Sequence, residues 1–450
     1  MKVPEILQVE TSQLPGSLAS VLNVIAAMHL VLEHVTTVRR EQGRTLWEIT
    51  LTIDESDQQR LLERLAALAS ARFVGWSDRV FEHHRGGKIE MRSRVAISTQ
   101  QILRDIYVPG VARVCLAIRK DPRKAREYTY VSRAVAVVSD GSSIPGVGHV
   151  GARASLPVME GRAALLSSLV GLSGVPVLVE STSVEHFVDT VRAIAPSFGA
   201  ILLANVSSPR CFEIERKLRA QLDMPVLLDD EHGTAVVVLA ALINAARIAR
   251  IELATTDVGL IGLGSAGLGV ARLLRTHGVG RMLGTDVRHE AMGRLAELRG
   301  QGATLEQVMS RARIVIATTG VGGLIPHELI KDHQIILALS QPDPEIESVA
   351  ALEAGAAIAV DGKSINNVLA FPGLFAGALR AGAADIDERM LLAAARAIAE
   401  AAPQGQLVPD PLNPALHEAV AAAVASAAIA EPAASLTGTE GAAGAAHDVP

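Results

Sequence analysis

The sequence predicts an α/β protein in three parts: an antiparallel sandwich of ferredoxin-like order, a mainly parallel α/β unit, and a dinucleotide-binding unit of Rossmann type. Three observations predict it. In the first 85 residues, strand-like and helix-like runs follow the order βαββαβ. From there to Leu228, short apolar runs alternate with helical patterns, as a parallel sheet with crossover helices requires. Gly262-Leu263-Gly264-Ser265-Ala266-Gly267 then stands between an apolar strand and a helix. A chain of 450 residues has room for two or three such domains.

The elements follow in order. "EILQVET" reads as a strand, and "LPGSLASVLNVIAAM" turns at Pro15-Gly16 before placing Leu18, Val21, Leu22 and Ile25 on one helical face. "LEHVTTVRRE" and "RTLWEITLTID" form a hairpin about Gln42-Gly43. Ser56 is the expected cap of the helix "DQQRLLERLAALAS", and "RFVGWSDRVFE" closes the unit at residue 85. Residues 86–233 carry "VAVVSDG", "PVLVE", "FGAILLANV" and "PRCFEIERKL" as strands and helices. Residues 234–365 begin with a helix over 234–250, followed by the glycine turn and the strands "RMLGTD", "ARIVIATTG", "QIILALS" and "AAIAVDG". Residues 366–431 are helical and are expected to return to the second unit. The tail 432–450 is small, polar and glycine-punctuated, the composition of a disordered end.

Composition narrows the function classes. The net charge of −6 gives no nucleic-acid footprint. The N-terminus lacks a secretory apolar core, and the most apolar helix is interrupted by Asn244 and Arg247, so neither export nor a membrane span is expected. Cys115 and Cys211 match no metal spacing and read as reduced thiols of a cytoplasmic protein. His83, His84 and His149 have no partner at ligand spacing and read as surface histidines.

The chemistry-bearing residues fall in two groups. Gly262, Gly264 and Gly267 let a pyrophosphate approach backbone N–H groups at a helix N-terminus. Asp286 ends the second strand, where a carboxylate accepts both ribose hydroxyls and favours NAD over NADP; Arg288 lies close enough to soften that preference. The second group surrounds "LLDDEHGTA", where Asp229 and Asp230 stand side by side at a strand end and require a cation or a proton relay. Asn366 and Asn367 can bind a carboxylate or a nicotinamide amide, or serve only as turn residues. Tyr107 is either a proton donor or a half-buried tyrosine beside a proline turn.

The blocks "YVPGVARVC", "VAVVSDG", "LPVMEGRAALL", "PRCFEIE", "DDEHGTAVVVLAALINA", "GLGSAG" and "NNVLAFPGLF" resemble, in this order, those of bacterial malic enzymes over residues from about 86 to 430. The first 85 residues resemble an ACT domain, a module that often binds amino acids. The resemblance implies oxidation of malate or a related 2-hydroxy carboxylate by NAD, decarboxylation with the help of Mg²⁺ or Mn²⁺, and a homodimer or higher homo-oligomer. It implies Tyr107 as proton donor, Asp229 as support of the base, Asp230 as a metal ligand, Asn366 at the cofactor and Asn367 at the substrate.

At four places the chain departs from that pattern. The family's lysine stands here as Arg162, its metal-binding Glu-Asp as Ala204-Asn205, its substrate asparagine as Gln341, and the threonine of its "YTPG" as Val108. An arginine stays protonated and is no general base. Alanine ligates nothing, and two carboxylates leave most of an octahedral shell unfilled. The family site sums to −1 with its lysine, its divalent ion and four acids; Arg162 with Asp229 and Asp230 also sums to −1. Arg162 is therefore expected to take the cation's place, with weak or absent metal dependence. The alternatives are a non-catalytic ACT-bearing regulator or assembly subunit, and an ordinary malic enzyme whose base and ligands come from elsewhere.

Overall fold

The computed structural model describes residues 3–181 and 183–429; the tail expected to be disordered lies outside them, as do residues 430 and 431. The first unit consists of β1 (Val3–Ser12), α1 (Ser17–Ala27), β2 (Leu32–Glu41), β3 (Arg44–Ile53), α2 (Glu55–Ala66) and β4 (Ala71–Trp76). Its antiparallel sheet has the order β2-β3-β1-β4, with Leu7 opposite Ile49 and Val9 opposite Trp47. Alternation decides the faces: Leu7, Val9, Ile49, Leu51 and Ile53 point inward onto Val21, Ile25, Leu61 and Leu65 of the helices, forming a core of their own. The other face is charged, with Glu10 paired to Arg72 at 2.9 Å and Glu48 to Arg79 at 2.6 Å. The hairpin turns at Gln42-Gly43, both with positive φ (48° and 73°), as a two-residue turn demands. The cap of α2 differs from expectation. Asp54 accepts from the Asp57 N–H at 3.0 Å, and Ser56 donates to Asp54, because a carboxylate one residue before the helix outcompetes a hydroxyl inside it.

The chain then passes through four short helices, α3 (Arg79–His84), α4 (Gln100–Ile106), α5 (Val111–Lys120) and α6 (Ala125–Tyr128). The second sheet follows, from β5 (Ala134–Ser139), α7 (Ala152–Val170), β6 (Ser173–Leu178), α8 (Val184–Ile194), β7 (Ala200–Leu203), α9 (Arg210–Gln221) and β8 (Val226–Leu228). It is wholly parallel, in the order β6-β5-β7-β8. All six residues of β5 are buried, because helices cover both faces; the run therefore reads as continuous apolar sequence.

Helix α10 (Asp229–Ala249) joins this sheet to the next. It begins five residues earlier than the spacing predicts. Its first turn holds Asp229, Asp230 and Glu231, and acids there complement the positive end of the helix dipole. The helix is long and apolar enough to cross a membrane by length alone, but most of it is buried inside the protein. Asn244 donates to the carbonyls of Ala399 and Leu407 at 2.9 and 3.0 Å and so ties in the C-terminal helices.

The third sheet is built from β9 (Asp257–Ile261), α11 (Ser265–His277), β10 (Arg281–Thr285), α12 (His289–Glu297), β11 (Gln301–Gly302), α13 (Leu305–Arg311), β12 (Ile314–Ala317), β13 (Ile335–Ala338), α14 (Ser348–Glu353) and β14 (Ile358–Asp361). Its parallel order, β11-β10-β9-β12-β13-β14, reverses direction at β9, where open sheets of this kind bind ligands. The helices α15 (Phe371–Ala381), α16 (Glu388–Ala401) and α17 (Pro414–Ile429) pack on α7 and α10, and one apolar core runs from Val135 and Met159 through α10 to Val424.

Among the described ion pairs, Lys363–Glu33 at 2.8 Å alone joins the first unit to the rest. Such a surface pair contributes about 0–1 kcal/mol. A chain beginning at Gly86 is therefore expected to fold with a single cooperative transition and to bind NADH as the full chain does. Loss of folding in circular dichroism would show that the first unit is part of the main core.

Candidate active site

The second and third sheets direct the C-terminal ends of their strands at one another across a cleft of about 400 Å³, lined among others by Arg162, Asn205, Asp230, Gly264, Gln341, Asn366 and Asn367. Sequence-predicted residues more than 200 positions apart thus share one space.

The turn from β8 into α10 makes the floor. Asp229 is fully buried. Its Oδ2 accepts from Arg162 Nη1 and from Asn367 Nδ2, the latter at 2.5 Å, while Oδ1 has no partner. Asp230 faces the cleft: Oδ1 accepts from Arg162 Nη2 at 3.4 Å and Oδ2 from the backbone N–H of Asn205 at 2.7 Å. One guanidinium on α7 therefore spans both carboxylates, a geometry suited to its planar fork. It also lies 5.9 Å from the Phe371 ring centroid. Asn205 holds a left-handed backbone, φ 56°, which aims its N–H at Asp230.

Burial decides the protonation chemistry. Removal from water pushes the Asp229 carboxyl up to about 6; Arg162 pulls it down and Asp230 pushes it further up. Asp230 is raised for the same first reason, opposed by Arg162 and the Asn205 N–H. Arg162 is itself held above its ordinary value: burial lowers it, but the two aspartates outweigh burial.

A divalent ion does not fit these residues. The guanidinium already neutralises the charge of the two carboxylates in part and takes their facing oxygens. Ala204 offers no side-chain ligand, and Asn205 gives its backbone N–H to Asp230 and contributes only a neutral amide oxygen, Oδ1, which is buried without a partner. A second cation would stand against Arg162 with few of the six oxygens it needs.

On the nucleotide side, Gly262 (φ 89°) and Gly267 are fixed by the protein itself. A Cβ would come within 2.8 Å of the Thr318 carbonyl at Gly262, and within 2.0 Å of the Gly262 carbonyl at Gly267. Gly264 differs: a Cβ there meets only Arg288 Nη2, at 3.9 Å, so the space before it is open to a ligand. Asp286 follows β10 directly and accepts from the Leu263 N–H at 2.7 Å. Burial pushes its carboxyl up, but the Arg288 side chain and the N–H groups of Arg288 and Leu263 outweigh that and hold it below the usual range. Arg288 is thereby folded onto Asp286, Nε to Oδ1 at 3.2 Å.

Three predicted residues are partly spoken for. Gln341 Nε2 donates to the Gly362 carbonyl at 2.6 Å, Asn366 Oδ1 accepts from the Val368 N–H at 3.0 Å, and Asn367 holds Asp229. Tyr107 corrects its expected place. It is 67% exposed and does not line the cleft, because the α4–α5 segment stands on the surface. Sequence reasoning also missed the buried supports of the floor. Glu215 on α9 accepts from the Leu228 N–H at 3.0 Å and pairs with His232 at 2.9 Å; Glu231 pairs with Arg272 on α11 at 2.5 Å. Their one signal was an acid inside an otherwise helical apolar pattern, "CFEIE", with a basic partner on a distant segment.

Comparison with known proteins bears on this geometry. Residues 86–219 match the family described as malic enzyme, N-terminal domain, and residues 285–434 match malic enzyme, NAD binding domain. The chain is 46% identical over 426 residues to NAD-dependent malic enzyme 1 of Bacillus subtilis, covering 94% of this chain and 97% of that one. It is 38% identical to the NAD-dependent malic enzyme of Geobacillus stearothermophilus, over 88% of both chains. The crystal structure of a malic enzyme from Pyrococcus horikoshii is 35% identical with a TM-score of 0.73, covering 78% of this chain and 90% of that one.

Two outcomes follow from the geometry. In a fluorescence titration, NADH is expected to bind more tightly than NADPH, and Gly264→Val to abolish both while leaving the melting temperature unchanged. A variant that still binds, or an NADPH preference, refutes the assignment. The Asp229 carboxyl takes up its proton near 6 in the native state, against an ordinary value of 3.8. Its contribution to stability therefore grows as pH falls from about 7 to 5, and Asp229→Asn is expected to flatten that slope in urea unfolding. Parallel slopes for both proteins would show that Asp229 is ionised throughout.

Proposed function

Since the chain belongs to the malic enzyme family, we propose that it is an NAD-dependent oxidoreductase of malate or a related small 2-hydroxy carboxylate, working with a fixed guanidinium where a divalent ion would otherwise stand. The observation that carries the second half is the bridge from Arg162 to both Asp229 and Asp230. Relatives named as NAD-dependent enzymes over nearly the whole chain favour this reading over a non-catalytic one.

The hydride acceptor for C2 of the substrate would be supplied by NAD when bound. The protein's residues then have separable tasks. The main-chain N–H groups at the start of α11, behind Gly264, hold the pyrophosphate, and Asp286 holds the ribose hydroxyls. Asp230, partly exposed to the cleft and made more basic by burial, takes the hydroxyl proton. Arg162 donates to the C2 oxygen as it becomes a ketone, and its charge stabilises negative charge on that oxygen. Asp229 and Asn367 fix the orientation of the guanidinium. Gln341 and Asn366 shape the substrate end of the cleft; Tyr107, exposed and outside its lining, takes no part in this scheme. The first unit is proposed to be an ACT-type module for an amino-acid effector; its βαββαβ order and separate core support this.

The metal question has a direct measurement. Calorimetric titration with Mn²⁺ is expected to show no micromolar site, and a chelator to leave NAD reduction nearly unchanged. Arg162→Lys, Ala204→Glu and Asn205→Asp together are expected to create Mn²⁺ binding and raise malate oxidation. Arg162→Lys alone is expected to do little, since a lysine base without the ion leaves the enolate unstabilised. A micromolar Mn²⁺ site in the unaltered protein would overturn the guanidinium reading while leaving the dehydrogenase reading intact.

A further inference from the structure

We propose that a cavity at the far ends of α10 and α11 binds a small organic phosphate, and that this ligand tightens NADH binding at the other end of the same two helices; the proposal does not rest on the substrate assigned above.

The cavity, of about 580 Å³, opens where both helices end, and its size suits a small molecule. Arg247 and Arg250 reach it from the end of α10, His277 from the end of α11, and Arg396 from the interior of α16. Among the described residues, none of the three guanidinium groups has a carboxylate at ion-pair distance; Arg247 donates to Asn244 Oδ1 at 3.0 Å. Cations at the C-terminal end of a helix complement its dipole, but Arg396 belongs to neither end. It presses on His277 instead. Burial, and then the Arg396 charge, hold the His277 imidazole below its ordinary value, and its Nδ1 is buried without a partner. The backbone adds a second sign. Helix α11 ends on Gly278, φ 98°, whereas α10 makes the same left-handed turn on Arg250, φ 54°. A side chain there meets steric resistance that glycine avoids, so the residue at this step is explained by what its guanidinium does.

Unpaired guanidinium groups beside a neutral imidazole call for an anion. Three of them exceed what one carboxylate occupies, and a phosphate ester offers three oxygens and about two negative charges. Glu252 and Glu400 line the same cavity, and their side chains pair with no cation among the described residues. Carboxylates accept from hydroxyl groups. A phosphate ester that carries hydroxyls therefore satisfies both sets, whereas a bare phosphate leaves the acids and most of the volume unused. The position makes this ligand an effector. Helix α10 starts with Asp229 and Asp230 in the cleft, α11 starts directly behind the nucleotide turn, and both finish here. The two helices pack on each other, and α16 packs on both. An anion that draws Arg250, His277 and Arg396 together holds α11 against α10 and fixes the turn before Gly264.

The test needs no turnover. Calorimetric titration is run on the full chain with NADH saturating, so that the pyrophosphate site is filled. β-Glycerophosphate is expected to bind with a dissociation constant below about 1 mM, and inorganic phosphate, sulfate and malate about tenfold more weakly. Arg250→Gly separates binding from structure. It removes the guanidinium and relieves the backbone, so the melting temperature is expected to stay or rise while affinity for β-glycerophosphate falls about tenfold. Arg396→Gln is expected to lose the same affinity from a position without backbone strain, and keeps the test open should the first variant fail to fold. In a fluorescence titration, β-glycerophosphate is expected to lower the NADH dissociation constant about fivefold in the wild type and not in Arg250→Gly. No heat with β-glycerophosphate, or equal affinity in the wild type and both variants, overturns the site. Malate or sulfate bound as tightly as the ester overturns the choice of an organic phosphate. An NADH constant indifferent to the ester overturns the coupling between the two ends.

Discussion

Three consecutive acids at the start of a buried helix impose the condition that the rest of the structure satisfies. Asp229, Asp230 and Glu231 gain something from the N-terminal end of α10, but a helix dipole does not balance three charges out of water. Two cations from different elements meet the three acids: Arg162 from α7 reaches the first two, and Arg272 from α11 reaches the third. Glu215 and His232 fix the strand-to-helix turn between them. The pairing fastens α7, α9 and α11 to one helix end, and so sets the distance between the two parallel sheets. The cleft is the gap left by that arrangement.

The nucleotide half and the aspartate half meet there for a topological reason. Both sheets are parallel, and residues that follow β7, β8, β9, β12 and β13 line the one cleft. The glycines divide the work. Gly262 and Gly267 are required by contacts within the protein, whereas Gly264 has open space in front of it. The first two belong to the fold and the third to a ligand, a distinction that a shared motif conceals.

Much of this was legible in the sequence because it is periodic or local. The alternation of β1 and β3, the all-apolar β5, the Gln42-Gly43 turn and the glycine motif each follow from neighbours in the chain. That Arg162, Ala204 and Asn205 accompany the paired aspartates was legible as well, since residue identities are read directly from the chain. What the sequence hid was pairing at a distance. Glu215 with His232, Glu231 with Arg272, and the backbone N–H of Asn205 on Asp230 have no local signature. The start of α10 was misplaced because acids in a first turn look like a loop until the helix dipole is counted. Tyr107 was expected at the cleft because sequence gives a residue its motif but not the side of the molecule on which its segment lies.

A guanidinium is bonded to its backbone. It is not taken up from the cell, exchanged for a competing ion, or removed by a chelating metabolite. With Arg162 in this position, the charge balance around Asp229 and Asp230 is set at translation, and the protein needs no loading step to reach it. If the guanidinium stands in for the ion as proposed, scarcity of manganese or magnesium would leave this cleft untouched. The same permanence removes a means of control: a cell can withhold an ion from an enzyme, but it cannot withhold a side chain.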